Sequence, residues 1–544
     1  MNKQSLLLRS KKIVNIMLGV IVLISILTRF VQLDKYPPSI TWDEASVGYN
    51  AYTIIHWGKD EWGKTLPITF KSFGDDKNPV HVYLTAPFVG LFGLNDYATR
   101  ASAAFFGVLN VIAIFFLARE IFKSDKVGLL ASFFLAISPY NIQFSRFNHE
   151  LNFAIFFFLA GTFLFYKGLR SKGKNYIWIS FLLFGIDLLT YQSAKVVTPP
   201  LVLLLATINI KKLLKSKKQF FCGLAIYAFF ISLLFIKPQL LGGERLKQNQ
   251  IPKNEIEETS IYKKTSNEMS GMSEIVFGRY KKYFQSEFLF ISGDSNPRHS
   301  IQSVGTFYWL DLPLLIVGLL AILWRLLVKK NKQMLVLIAW ILLAPLPGAV
   351  SSDMPHAARA MFLTGSWTLI IAYGAFVLIT LFKNKYARVL SSVLIVLAMI
   401  IPFRNYLKSY YGEYAEKYAI EWVYGMKEIV EFTKNEEVLY RVYMTDAFMQ
   451  PYIFYLYYLK VPLPEYLETV KYNQTESRPS NLVSSFGIYR FDWDQYQSQP
   501  ADGVLYVVNP SVYDGLFHKP NFEVAKLVKY PNGSNAFYLL LPKY

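Results

Sequence analysis

The sequence contains one cysteine, Cys222, in 544 residues, so no intramolecular disulfide can form and any part lying outside the cytoplasm must hold its fold without one. Charge is also scarce. Asp, Glu, Lys and Arg make up 17% of the chain, against roughly 25% in soluble domains. What replaces charge is apolar: 53% of side chains are hydrophobic, 17% aromatic, and the mean hydropathy is +0.27. That composition excludes disordered, collagen-like and disulfide-scaffold chains and points to lipid as the main solvent. The formal net charge of +19 invites a nucleic-acid partner, but the basic residues stand in short clusters between apolar runs. Clusters of that kind orient membrane spans, and no nucleic-acid partner is expected.

Apolar runs of roughly 20 residues span a bilayer, and short ones of about 17 can suffice. The sequence offers about eleven, near 13–32, 98–118, 127–140, 150–166, 175–190, 196–210, 219–236, 310–328, 333–350, 360–382 and 388–403. The first follows Lys3, Arg9, Lys11 and Lys12 but is too long for a signal peptide and lacks a small-residue cleavage site, so it reads as an uncleaved anchor. With that end in the cytoplasm, the inside connections hold 23 Lys/Arg, whereas the short outside loops 139–149, 191–195 and 351–359 hold only Arg146, Lys195 and Arg359. The positive-inside rule then predicts a cytoplasmic N-terminus, an extracytoplasmic C-terminus and an inner, plasma-membrane location. Three long segments fall on the outer side: 33–97, 237–309 and the tail from 404. All six histidines fall there too, His56, His81, His149, His299, His356 and His518. Asp187, inside the fifth apolar run, reads as an interfacial or helix-packing acid.

The tail returns to alternating patterns. Glu421 to Lys434 has helical spacing, while Val438 to Met444, Val504 to Val508 and Ala536 to Leu541 read as strands. The expectation is a polytopic α-helical membrane domain over 1–403 and a small α/β domain over 404–544 acting as a binding or packing accessory.

Polar residues concentrate in the outer loops. The first carries Tyr36-Pro37-Pro38-Ser39-Ile40-Thr41-Trp42-Asp43-Glu44, an adjacent carboxylate pair soon after the first span, followed by Tyr49 and Tyr52, aromatic rings suited to an interface. A helix starting near Asp43 would lay that carboxylate where lipid and water meet. The same loop contains Gly74-Asp75-Asp76-Lys77-Asn78-Pro79-Val80-His81-Val82-Tyr83, and Arg100 opens the second span. The loop Ser138-Pro139-Tyr140-Asn141-Ile142-Gln143-Phe144-Ser145-Arg146-Phe147-Asn148-His149-Glu150 is dense in polar groups for so short a connection. Gly293-Asp294-Ser295-Asn296-Pro297-Arg298-His299 and Pro355-His356-Ala357-Ala358-Arg359-Ala360 follow later.

This ordered set resembles the GT-C class of polytopic glycosyltransferases, nearest to bacterial members of the dolichyl-phosphate-mannose protein mannosyltransferase family (family thirty-nine) and the related aminoarabinose transferases of lipid A. The likeness is firmest over 30–170 and looser to about 400. At the tail the sequence departs, with an α/β domain in place of the β-trefoil insert of the eukaryotic protein mannosyltransferases, which puts a protein acceptor in doubt.

The resemblance implies transfer of a sugar from a polyprenyl-phosphate donor to an acceptor hydroxyl of a glycan, lipid or protein, at the outer face of the membrane. A phosphate leaves as a stable anion, so the reaction asks for one base and nearby cations, where a glycosidase uses two carboxyl groups. Asp43 is assigned as the base, with inversion following, and Glu44 as a supporting or alternate base. Arg100, Arg146, Arg298, His299, His356 and Arg359 are the candidates for holding the donor phosphate, because arginine binds phosphate oxygens in two places. Asp75, Asp76, Lys77, His81, Tyr83, Asn148 and His149 are candidates for contact with substrate. The prenyl chain would lie between spans, each buried CH₂ contributing roughly 0.8 kcal/mol. No cofactor and no metal site are expected, although Asp43, Glu44, Asp75 and Asp76 offer oxygen ligands that Mg²⁺ or Mn²⁺ accept. A transporter or flippase, the main rival, would carry internal repeats and broken helices at mid-membrane, and no repeat stands out. A non-enzymatic assembly or sensor protein is the other.

Overall fold

The computed structural model of the protein describes all residues except 1–2, 172–174, 243–249, 352–353, 436–438, 447–449, 474–481, 492–499, 517–518 and 544. His518 and the start of the strand expected from Val438 lie outside the described residues. Each of the eleven expected apolar segments falls on helix. Among the described residues six helices are long and apolar enough to cross a membrane, or seven when a bent pair counts as one span, which is fewer than eleven. The shortfall has a plain cause. Tyr176–Leu188 and Asp311–Leu327 have 13 and 17 residues, Met334–Leu343 has 10, and the apolar run Gln192–Ile236 holds two helices joined through a turn at 214–216. The chain is an integral membrane protein, mostly helical, with a strand-containing C-terminal part.

The chain divides into two compact units. The first comprises 1–31, 103–145 and 149–409. Its bent pair, Asp125–Ala136 and Pro139–Ser145, turns by 59° where Pro139 interrupts the helix. The carbonyls freed at such a break need donors. Arg29, fully buried, supplies them, donating to the carbonyls of Leu135 and Ala136 at 3.2 and 3.1 Å and to Asn141 Oδ1 at 2.7 Å. Asp187 is also buried there and accepts from Thr198 Oγ1 at 2.5 Å, a packing contact within the unit.

The second unit comprises 32–102, 146–148 and 410–544, so the segment after the first span folds together with the tail rather than with the apolar helices. Helix α1 (Trp42–Trp57) leads into a short antiparallel hairpin, β1 (Phe70–Ser72) and β2 (Asp75–Lys77), and then into α2 (Val80–Phe92). The hairpin loop is Phe73-Gly74, both at positive φ (55° and 78°), the conformation whose twist matches two paired strands.

Among the described residues the tail forms a seven-stranded mixed sheet. Its order is Lys471–Tyr472, Val483–Phe486, Tyr489–Arg490, Arg441–Met444, Val504–Val508, Asn535–Pro542, Phe522–Lys529. Arg441–Met444 runs parallel to both neighbours and the other pairings are antiparallel. Val504–Val508 is buried at every position, as its unbroken Val-Leu-Tyr-Val-Val run requires of a strand covered on both faces. Helix Met426–Asn435 buries Met426, Ile429, Val430 and Thr433 and exposes Lys427, Glu431 and Lys434, the three-to-four spacing of an amphipathic helix.

One core joins these parts, with Ala45 and Tyr49 of α1 packed among Tyr452, Leu456, Ile429 and Leu505. Tyr49 donates to the carbonyl of Val461 at 2.9 Å, and Thr99 and Tyr457 share a hydrogen bond of 2.8 Å. Gly48 marks the closest approach. A Cβ there would lie 2.6 Å from both Thr99 Oγ1 and Tyr457 Cε2.

Candidate active site

The geometry around Asp43 and Glu44 begins with the helix start. Thr41 is the N-cap of α1, and its side chain accepts from Glu44 N at 3.3 Å while Glu44 Oε2 accepts from Thr41 N at 3.0 Å. This reciprocal box satisfies two of the donors that a helix start leaves open. It also turns adjacent carboxylates in opposite directions. Glu44 points inward and is fully buried. It receives Arg100 Nε at 2.9 Å, Arg100 Nη2 at 3.3 Å and the Asn148 peptide N–H at 3.0 Å. Asp43 keeps 47% of its side chain exposed and meets Lys77 Nζ at 2.5 Å. Lys77 is the more enclosed partner, 10% exposed, and its ammonium lies over the Phe73 ring at 5.2 Å. Strand β2 carries it there, with Lys77 opposite Phe70 in the hairpin register.

Arg100 and Arg146, expected to hold phosphate, are instead tied to the backbone. Arg100 is fully buried and donates to the carbonyls of Leu33 (3.1 Å), Pro37 (2.9 Å) and Ser39, in addition to Glu44. All five of its N–H groups are thereby engaged, and none remains for a ligand. Arg146 is likewise fully buried. It donates to the carbonyls of Gln32 and Tyr36 at 3.2 and 3.0 Å and to the Tyr410 hydroxyl at 3.2 Å, and stacks over the rings of Tyr410 and Tyr411, each at 5.2 Å. Two guanidinium groups therefore hold the segment 32–39 in shape.

Several expected substrate contacts are similarly used inside the protein. Asn148 Nδ2 donates to Thr85 Oγ1, the Thr99 carbonyl and Ser102 Oγ at 2.9, 2.7 and 3.2 Å. The Tyr83 hydroxyl donates to the Pro67 carbonyl at 2.9 Å, and His81 is buried near the start of α2. Asp75 accepts from Asp76 N at 2.8 Å within the hairpin, where both are half-buried. Of the residues proposed from the sequence within this unit, Asp43 and Lys77 pair with each other, Asp43 with half of its side chain exposed.

The remaining candidates belong to the first unit. There Asp294 Oδ2 accepts from His299 Nδ1 at 2.8 Å and from Ala357 N at 2.6 Å, and the rings of His299 and His356 lie 4.7 Å apart. Burial lowers the pKa of His299, and the Asp294 carboxylate opposes that shift. One ligand atom each from Asp294, His299 and His356 lies within 4.8 Å of the others, the group among the described residues able to hold a metal ion. His149 pairs with Glu150 at 2.9 Å and sits edge-on to Tyr191. The backbone carbonyls of Arg298 and Arg359 accept from Gln143 Nε2 (2.8 Å) and Ser193 Oγ (2.9 Å).

Glu61 of the second unit was not foreseen. It is fully buried, its N–H donates to Asn50 Oδ1 at 2.9 Å, and neither carboxyl oxygen accepts a well-formed hydrogen bond among the described residues. Desolvation pushes its pKa up to about 8. In the sequence it stands beside Asp60 as one more acidic pair in a loop. No spacing marks it.

Comparison with known proteins agrees with this architecture. Residues 76–236 match the family described as dolichyl-phosphate-mannose-protein mannosyltransferase. YkcB of Bacillus subtilis (strain 168), whose name marks it as a candidate mannosyltransferase, is 28% identical over 144 residues. That match covers 26% of this chain and only 20% of the relative, about a fifth of its length. The crystal structure of ArnT from Cupriavidus metallidurans in the apo state superposes with a TM-score of 0.56 at 13% identity, covering 96% of this chain and 97% of that one. The same protein bound to undecaprenyl phosphate gives 0.54, also at 13% identity, over 96% and 97% of the two chains. An oligosaccharyltransferase from Archaeoglobus fulgidus, in complex with Zn and sulfate, gives 0.53 at 14% identity over 96% of this chain and 72% of that one. At these identities the structural matches describe the fold.

Proposed function

We propose that this chain, built on the GT-C fold, is an integral-membrane glycosyltransferase that moves a sugar from a polyprenyl-phosphate donor to an acceptor hydroxyl, with Asp43 as the base. The reading rests on one observation above others: of two adjacent carboxylates, one is buried in a network with Arg100 and the other is half-exposed and paired with the enclosed Lys77. The match of residues 76–236 to a mannosyltransferase family supports a sugar donor, and the ArnT structure bound to undecaprenyl phosphate supports a polyprenyl-phosphate carrier.

In the chemistry proposed, the acceptor O–H gives its proton to Asp43 as its oxygen bonds to the anomeric carbon. The bond from that carbon to the phosphate oxygen breaks, the electron pair leaves with the polyprenyl phosphate, and the anomeric configuration inverts. Lys77 has two roles in sequence. Before donor binds it neutralises Asp43. When an anionic phosphate arrives it can shift its charge to the leaving group, freeing Asp43 to accept a proton. Glu44, Arg100 and Arg146 position the segment that carries Asp43. By the distribution of Lys and Arg, the second unit faces the extracytoplasmic side.

The test is Asp43→Asn in purified protein. Transfer from polyprenyl-phosphate sugar should fall by a factor of about 10² to 10⁴, the range for losing a general base, with donor binding retained. Unchanged transfer would remove Asp43 from the chemistry, and turnover of diphosphate-linked donors alone would overturn the donor assignment.

A further inference from the structure

The first unit carries a cluster of metal-ligating side chains that the proposed chemistry does not use. Two loops assemble it. The turn 293–300 supplies Asp294 and His299, and the loop after Pro355 supplies His356. One ligand atom from each lies within 4.8 Å of the other two. Asp294 is 2% exposed and His299 9%, while His356 is half-buried. An aspartate enclosed to that degree needs a partner, and one imidazole, His299, already meets it at 2.8 Å. The second imidazole is surplus to such a pair. Its ring nevertheless stands 4.7 Å from that of His299, so the three groups make a donor set for something other than each other.

Each member is held in place by hydrogen bonds outside the set. Gly293 opens the turn at φ 81°, where a Cβ would lie 2.6 Å from Ser300 Oγ. Within the turn Asp294 Oδ1 accepts from Asn296 N at 2.9 Å, and the Asn296 carbonyl accepts from His299 N at 2.9 Å, which folds residue 299 back over residue 294. The other loop is fixed by two tyrosines: the Tyr283 hydroxyl accepts from His356 N at 2.9 Å, and Tyr140 donates to the Ala357 carbonyl. Ala357 N in turn donates to Asp294 Oδ2 at 2.6 Å, so the carboxylate already bridges the loops. Supporting bonds of this kind orient metal ligands.

We infer that Asp294, His299 and His356 bind one divalent transition-metal ion, with Zn²⁺ the best fit, and that the ion ties the turn 293–300 to the loop 355–359. The inference stands apart from the transferase reading. Two imidazoles and a carboxylate suit zinc, whereas Mg²⁺ and Ca²⁺ take oxygen ligands. Ligand atoms about 2.0–2.2 Å from a tetrahedral ion stand roughly 3.4 Å from one another, so the cluster closes around it by little more than about 1 Å. Between His299 Nδ1 and Asp294 Oδ2 the ion replaces the shared proton, which is released. A fourth position is left to water. Arg298 and Arg359 of the same loops favour an anion instead, but an anion seated among these three groups would face the Asp294 carboxylate at close range, and that repulsion decides for a cation.

The experiment is calorimetric titration of the untagged, detergent-solubilised full chain, stripped with a chelator and dialysed, with Zn²⁺ and separately with Mg²⁺. Zn²⁺ should bind as one tight equivalent, release protons and raise the melting temperature, and Mg²⁺ should do none of these. Loss of a group that merely supports a ligand costs about 10–100-fold in metal affinity, so loss of a ligand in His356→Gln or Asp294→Asn should weaken Zn²⁺ about a hundredfold or more. If Asp294→Asn fails to fold, His356→Gln, which alters a half-buried group, decides. No tight equivalent in the wild type, unchanged Zn²⁺ affinity in His356→Gln, or Mg²⁺ bound as tightly as Zn²⁺ would each overturn the site. So would inorganic phosphate bound by the stripped chain and lost in His356→Gln, which would give the cluster to an anion.

Discussion

Adjacent side chains with opposite surroundings make sharply different predictions. Replacing Arg100 by Gln leaves the Glu44 carboxylate buried without its cation, and breaking a buried pair in that way costs about 3–5 kcal/mol. The measurement is thermal unfolding in detergent, where Arg100→Gln should melt well below wild type. Asp43→Asn, which alters a half-exposed group, should melt within a degree or two of it. Under the proposed mechanism, in which the Lys77 ammonium passes from Asp43 to the leaving phosphate, Lys77→Met should lower kcat and raise KM for donor together.

Glu61 sets a pH dependence with a definite sign. Its pKa rises from an ordinary 4.5 to about 8 on folding, so between those values the folded state holds a proton that the unfolded chain has released. Stability should therefore be full below pH 4.5, decline as pH rises, and level off above about 8. A melting series from pH 5 to 8.5 should show that slope in wild type, and Glu61→Gln should flatten it.

At this scale the sequence told a partial story. The Asp43-Glu44 pair was conspicuous, and the Thr41-to-Glu44 spacing of a capping box was there to be read, which would have assigned Glu44 an inward role. The fates of Arg100 and Arg146 were not legible. Their partners are peptide carbonyls at 32–39, and a carbonyl has no letter in a sequence.

Among elements, the hairpin is the part whose shape matters most for chemistry. It delivers Lys77 to Asp43 through a two-residue turn that places Gly74 at φ 78°. A β-branched residue is strained there, so Gly74→Val should displace Lys77 and cut transfer with little change in melting temperature, a split that activity and unfolding measured side by side would reveal. Helices such as Met426–Asn435 and the buried strand Val504–Val508 were readable because burial imposes a period or an unbroken apolar run. Short strands such as Tyr489–Arg490 were not, since two residues carry no pattern. The eleven apolar segments all became helices, but several stop short of a bilayer's width, because hydropathy reports where a chain avoids water and says little about where a helix ends.

For the whole molecule, the largest difference from the sequence reading is the grouping of 32–102 with 410–544. A tail taken for an accessory shares a core with the helix that carries Asp43. Deleting 410–544 should consequently abolish transfer and render 32–102 sensitive to limited proteolysis, while a tail that merely docks would leave that segment protected. Residues drawn from 34–39, 96, 411–431, 458 and 531 line one cleft of that unit, and no window along the chain would have joined them.

The seating of Gly48 against Thr99 and Tyr457 has a mechanical meaning. A side chain of any size at that point would collide with Thr99 Oγ1 and the Tyr457 ring, so α1 lies nearer to its neighbours than a helix bearing a Cβ there could.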